Sequence, residues 1–274
     1  MLKWRIITAL VLVPSLLALV WWLPTGGVAL LFALMCVLGG LEWARLIGCV
    51  GRRAQYRYLC GLVILLSLGW ALYQSRLSPL PLFAIATLWW LAALQRLLRY
   101  NRDPQGQAKP GPVVGALISY AVLLFAWFSL VYLHGYGGPA LVTLLLFAVW
   151  GADTGAYFAG RAFGRRKLAI NVSPGKTWEG VFGGLLLAGA VSLVLQWWLQ
   201  PAGMPLHVML PLVLAAVLFS VAGDLFESMI KRQHGAKDSG NLLPGHGGVL
   251  DRVDALLAAA PIFAMGFVWW RLTL

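Results

Sequence analysis

Apolar residues run along this chain in blocks of about 20, broken by short polar or basic stretches, and blocks of that length suit helices that cross a bilayer. The pattern predicts nine spans, near 6–23, 27–46, 59–75, 80–98, 113–133, 139–158, 179–199, 206–226 and 250–270. The pair 59–75 and 80–98, joined by QSRLSPLP, is short for a full crossing. The opening MLKWRIITALVLVPSLLALVWWLP starts with two basic residues, like a signal peptide. Its apolar run is long and no small-x-small cleavage site follows, so it reads as a retained first helix.

Composition agrees. Apolar residues make up 61% of the 274, charged residues only 11%, and the mean hydropathy is +0.81. A soluble domain carries about a quarter charged residues, so that class is excluded. Fourteen Trp fit a membrane protein, because indole rings favour the membrane–water interface. The net charge of +12 invites a nucleic-acid reading. Most of the basic residues, however, lie in the loops 48–58, 99–112, 159–178 and 227–249, where the positive-inside rule places them. With the N-terminus in the cytosol, all Lys and Arg except Arg76 and Arg271 fall on the cytosolic side. The expectation is an all-α, polytopic integral membrane protein with a cytosolic N-terminus and no nucleic-acid partner. It forms a single membrane domain over 1–274, with residues 1–135 as scaffold and 136–274 carrying any chemistry. Cys36, Cys49 and Cys60 form no CxxC pair and read as small apolar residues.

Acids are scarce and clustered. Of nine in the chain, Asp224, Glu227, Asp238, Asp251 and Asp254 fall within residues 224–254. In GDLFESMIKR, Asp224, Glu227, Ser228 and Lys231 stand at i, i+3, i+4 and i+7 and share one helix face. A snorkelling helix end would explain one Lys or Arg, but not two acids and a serine in register. In PGHGGVLDRVD, a glycine-rich turn containing His246, Gly247 and Gly248 opens the last helix, and Asp251 and Asp254 follow on one face. Such a turn can approach an anion. Two carboxylates so placed can hold a hard cation, although one alone would be ordinary helix-dipole chemistry. Asp153, in WGADTGAY, is about 21 Å into its span, and an intramembrane acid suggests a site. Gly151, Gly155 and Gly160 also suit helix packing. In INVSPGKTWEG, GKT lacks the glycine of a Walker A loop, since Ile170 stands there. Ser173, Lys176, Thr177 and Glu179 remain, in a basic loop that suits phosphate oxygens or is simply solvated. All these groups fall at one membrane surface. Carboxylates with Lys and Arg suit a magnesium-bound polyphosphate. The four His (134, 207, 234 and 246) are not at ligand spacing, and His134 and His207 lie on the other side.

Residues 228–254, SMIKR-x4-KDSG-x2-LPGHGGVLDRVD, resemble the signature of the phosphatidate cytidylyltransferases, or CDP-diacylglycerol synthases. GADTGAY (151–157) and SPGKTWEG (173–180) resemble further segments of that family in the expected order, with Gly175 where some members carry a second Lys. The resemblance is strong over about 150–260 and general over the first 110 residues. It implies transfer of CMP from CTP or dCTP to phosphatidic acid, giving CDP-diacylglycerol and pyrophosphate, in phospholipid biosynthesis. It implies a Mg²⁺ cofactor, with room for a second metal or a monovalent cation, held by Asp224, Asp251 and Asp254, with Asp153 as a further ligand or an orienter. Lys176, Lys231, Arg232, Lys237 and Arg252 would hold phosphates. Ser173, Ser228, His246 and the Gly247–Gly248 turn would bind substrate. The implied setting is the lipid bilayer of a bacterial inner membrane, with the site facing the cytosol and lipid entering from the inner leaflet. A homodimer is compatible with it. An ion-coupled transporter would need broken helices near the midplane and an inverted repeat, neither of which the sequence shows. The Asp-Gly…Ala-Arg…Gly…Asp…Asp run of CDP-alcohol phosphotransferases is absent. A purely structural membrane protein would not need acids in helical register.

Overall fold

The computed structural model describes residues 2–49, 51–75, 77–240 and 247–273, with side chains from residue 10 onward. Among these residues the chain forms nine long α-helices: α1 (Leu2–Trp22), α2 (Thr25–Leu46), α3 (Arg52–Gln74), α4 (Leu80–Arg102), α5 (Pro112–Gly137), α6 (Pro139–Phe163), α7 (Trp178–Leu199), α8 (Leu206–Gln233) and α9 (Leu250–Leu272). Eight of them, α2 to α9, are long and apolar enough to cross a membrane, and the described part of α1, Leu10–Trp22, is a shorter apolar helix. The protein is an all-α polytopic membrane protein, as the hydropathy pattern predicts.

The helices overrun the apolar blocks at one end of the bundle. α3 begins at Arg52 rather than near 59, and α4 runs to Arg102 rather than 98. Hydropathy leaves out these basic turns, yet they continue the same helices and make both members of the short pair full length. α8 continues to Gln233. Its 28 residues reach about 42 Å at 1.5 Å per residue, more than a hydrocarbon core of about 30 Å. The last two turns, with Glu227, Ser228 and Lys231, thus extend past the most apolar stretch on one continuous helix.

α9 is the central helix. It packs against α2, α4, α5, α6 and α8, and it is buried from Ala255 through Pro261 and again at Phe263, Ala264, Phe267 and Val268. Burial all round explains its composition, since small and apolar residues let five neighbours approach one axis. α6 and α7 lie closest together. A Cβ on Gly155 would run into the Gly183 carbonyl oxygen, and one on Gly183 would meet Ala159 Cβ. The packing role expected of Gly155 is met here.

Away from the basic end, α1, α2, α5 and α6 are tied by side chains. His134 bonds Thr25 Oγ1 through Nδ1 at 3.1 Å and the Val20 carbonyl through Nε2 at 3.0 Å. Trp21 Nε1 donates to Thr143 Oγ1 at 3.0 Å. His134 thus has a structural task.

The basic loop after α6 is partly a small antiparallel hairpin, which the hydropathy pattern does not reveal. Strand β1 (Lys167–Ala169) pairs with β2 (Ser173–Thr177), Lys167 opposite Thr177 and Ala169 opposite Ser173. Two bonds fix its turn to the end of α4: Asn171 N–H donates to Asn101 Oδ1 at 3.1 Å, and Asn171 Nδ2 donates to the Asn101 carbonyl at 2.8 Å.

Candidate active site

Three segments meet at the basic end: β2, the last turns of α8 and the first turns of α9. Thr177 ends β2 and caps α7, its Oγ1 accepting from Gly180 N–H at 3.1 Å. Glu179 turns back and accepts from the backbone N–H groups of Arg165 and Arg166 at 3.1 and 3.2 Å. Those bonds anchor the hairpin and leave Lys176 directed at α8. Lys176 Nζ lies 2.5 Å from Asp224 Oδ2, with both side chains about one third exposed or less.

One helical face of α8 does the rest, as the i, i+3, i+4, i+7 spacing requires. Ser228 Oγ donates to Asp224 Oδ1 at 3.4 Å. Lys231 Nζ donates to Glu227 Oε2 at 2.9 Å and to Asp251 Oδ1 of α9 at 2.7 Å. These three groups are nearly closed off, with side-chain exposures of 12%, 2% and 11%. At the end of α8, burial holds the His234 imidazole below its ordinary pKa, and His234 Nδ1 lies 2.9 Å from the Ile230 carbonyl.

Asp251 is more constrained than the sequence suggests. Besides Lys231, it accepts from Ser239 N–H at 3.2 Å and from Gly248 N–H at 2.9 Å. The last is the reach-back bond of a first-turn acid to the entry of its own helix. The next two amides, Val249 and Leu250, donate to Glu42 of α2 at 3.1 and 2.8 Å, and Ser239 Oγ donates to Glu42 at 3.2 Å. The amide of Gly248, expected to face a phosphate, is thus taken by an internal carboxylate. Gly248 and Gly240 must lack a side chain for this, because a Cβ on either would fall against the Glu42 carboxylate.

Asp254, one turn further along α9, lies within electrostatic reach of Asp224 and Glu227, and Asp153 of α6 within that of Asp224, Lys176 and Arg252. Asp153, Lys176 and Asp224 line a cavity of about 470 Å³ between α6, α7, α8 and β2. Ala152, Ala156, Val181, Val217 and Val221 form its apolar walls, and Arg161 stands at its edge.

The groups here that could hold a cation are carboxylates. Asp153, Asp224, Glu227, Asp251 and Asp254 outnumber the four cations around them, Lys176, Lys231, Arg252 and Arg161. Among the described residues, the buried Glu227 Oε1 has no hydrogen-bond partner. Carboxylate oxygens without thiolate or imidazole suit Mg²⁺. Among the described residues no three acidic, His or Cys groups converge at ligand distance. The two lysines stand between the acids, and Asp251 is spent on Lys231 and backbone amides.

The other expected groups spread around this centre. Ser173 is half-buried on β2, and Arg232 Nε donates to the Val172 carbonyl at 3.5 Å, against the hairpin turn. Lys237 is exposed, and Arg252 is exposed on the first turn of α9. Gly247 takes a left-handed φ of +81°, which favours glycine. His246 lies outside the described residues. The residue that sequence reasoning passed over is Glu42. A signal was there, a lone acid inside an apolar span, but its partners are about 200 positions away in the chain.

The sequence profile of the cytidylyltransferase family matches residues 3–269. The chain is 43% identical over 265 residues to the phosphatidate cytidylyltransferase of Pseudomonas aeruginosa, covering 96% of each chain. It is 36% identical to that of Haemophilus influenzae, covering 96% of this chain and 98% of the relative. It is 31% identical to that of Thermotoga maritima, covering 95% and 94%. The match runs through the scaffold helices as well as the polar segments, and so the chain belongs to the cytidylyltransferase family.

Proposed function

We propose that the protein is a phosphatidate cytidylyltransferase that moves CMP from CTP or dCTP to phosphatidic acid, giving CDP-diacylglycerol and pyrophosphate. The observation that carries this reading is the meeting, at one end of a membrane bundle, of five carboxylates with Lys176 and Lys231 beside a cavity with one polar and one apolar wall. The polar wall suits phosphates and the apolar wall suits the glycerol end of a lipid.

A lipid phosphate oxygen attacks the α-phosphorus of the nucleotide, a new P–O bond forms, and the bond to the β-phosphate oxygen breaks with its electron pair leaving on pyrophosphate. The attacking oxygen is already anionic, so the site needs positive charge and alignment more than a base. Lys176, poised on Asp224 at the cavity wall, is placed to exchange that carboxylate for a phosphate. Lys231 holds Glu227 and Asp251 apart and gives the centre a fixed positive charge. Ser173, Arg232, Lys237 and Arg252 would serve the nucleotide. Mg²⁺, when bound, would neutralise charge on the phosphates; Asp224 and Asp254 are the best-placed ligands, with Asp153 and Glu227 adjoining. Asp251, engaged by Lys231 and two backbone amides, serves to orient rather than to ligate.

The basic ends of α2, α3, α4, α6 and α8 are at the same level as this centre. By the positive-inside rule that level is cytosolic, which supports a site on the inner face of a bacterial cytoplasmic membrane. The test is pyrophosphate release by purified protein in detergent with phosphatidic acid, Mg²⁺ and each nucleoside triphosphate in turn. Release with CTP or dCTP that requires the lipid is expected. Release without lipid, or none with any nucleotide from folded protein, would overturn the reading.

A further inference from the structure

Glu42 is a carboxylate in the middle of the scaffold that the transfer chemistry does not use. It is fully buried, with no exposed surface, on a helix that otherwise presents Val28, Phe32, Cys36 and Trp43 to the core. Among the described residues the ion pairs are Lys176–Asp224, Lys231–Glu227 and Lys231–Asp251, so none neutralises it. A buried charge of this kind is costly unless hydrogen bonds satisfy it. Here three donors do so, namely Ser239 Oγ and the amides of Val249 and Leu250, and the positive end of α9 adds to them.

The donors are what give Glu42 its reach. Ser239 is divided between two carboxylates, its hydroxyl on Glu42 and its amide on Asp251. Consecutive amides at the start of α9 are divided the same way, Gly248 to Asp251 and Val249 and Leu250 to Glu42. Asp251 in turn holds Lys231. A continuous path of bonds therefore runs from α2 to the cation of the site, with no step longer than 3.2 Å.

We propose that Glu42 is a positioning residue for the transfer, acting through Ser239 and the first turn of α9 to fix Asp251 and, through it, Lys231. The proposal rests on the cytidylyltransferase reading of the site. Three donors suit a carboxylate better than a neutral amide, because the NH₂ of Gln cannot accept a bond. Glu42→Gln therefore keeps the volume and loses part of the clamp.

The experiment measures kcat and both KM values for wild type, Glu42→Gln, Ser239→Ala and the double variant, with thermal unfolding in detergent to set the amount of folded enzyme. Glu42→Gln is expected to lower kcat on the order of 100-fold, the effect of a displacement of about 1 Å in a reacting group, with KM values near wild type. Ser239→Ala is expected to lower kcat about 10-fold, and to add little on top of Glu42→Gln because both act along one path. If Glu42→Gln does not fold, the milder Ser239→Ala still decides the matter. An active wild type whose variants keep its kcat per folded molecule, or whose losses simply multiply, overturns the positioning role alone. A wild type that releases no pyrophosphate overturns the reaction reading and this proposal with it.

Discussion

Lys231 on α8 binds Asp251 on α9 at 2.7 Å while holding Glu227 of its own helix at 2.9 Å. One ammonium thus balances two acids in a nearly closed space, and it joins the two helices that carry most of the site. Removing it leaves two buried carboxylates facing each other. Lys231→Met is expected to destabilise the protein by about 3 kcal/mol, the usual effect of breaking a buried pair from one side, and to abolish pyrophosphate release. Adding Glu227→Gln should recover part of the stability, read from thermal unfolding, and none of the activity.

Lys176 presents the opposite case. Its pair with Asp224 is partly open to the cavity, at 26% and 32% exposure. Open pairs contribute little to folding, so Lys176→Ala should change stability by less than about 1 kcal/mol. If Lys176 takes a phosphate during transfer, kcat/KM should fall on the order of 100-fold, as expected for loss of one charge-stabilising donor. Steady-state kinetics beside an unfolding curve separates the two effects.

The acids divide in the same manner. Chelation with EDTA is expected to stop the reaction, with recovery on Mg²⁺. Asp224→Asn and Asp254→Asn should each raise the Mg²⁺ concentration needed for half-maximal rate, as loss of a hard oxygen ligand requires. Asp251→Asn should act differently. It loses bonds from Lys231 and two amides, so it should lower stability by about 2 kcal/mol, and added Mg²⁺ should not restore its rate. A metal titration of the three variants checks the division.

The seam between α6 and α7 supplies a packing test. A Cβ on Gly183 already meets Ala159, so Gly183→Val forces two helices apart. Overpacking at such a contact is expected to destabilise by about 3 kcal/mol, seen as a lower unfolding midpoint. Activity should fall as well, because β2, which carries Lys176, leads directly into α7.

Helix number, helix type and the polar cluster were readable because each follows from local spacing. Apolar blocks mark the spans, and Asp224, Glu227, Ser228 and Lys231 share a face through the 3.6-residue period alone. The β1–β2 hairpin was not readable, since its strands are three and five residues long and are held by Asn101 and the Glu179 carboxylate rather than by an apolar pattern. Nor were the bonds of Asp251, because D-R-V-D at a helix start looks the same whatever partners the first acid has. Glu42 was hidden for a plainer reason. Nothing local to GGLEWARL points to Ser239 or Leu250, and only the approach of α2 to α9 brings them together.

The central place of α9 bears on how the protein is made. The ribosome delivers this helix after the eight others, yet it packs among α2, α4, α5, α6 and α8. Until it arrives, the earlier helices sit in the membrane around an unfilled slot, with Glu42 lacking the amides that satisfy it. The docking of α9 is therefore a late step, and it assembles the core and the catalytic centre together. A nascent chain halted before α9 would be an inserted but inactive intermediate, ready for quality-control proteolysis.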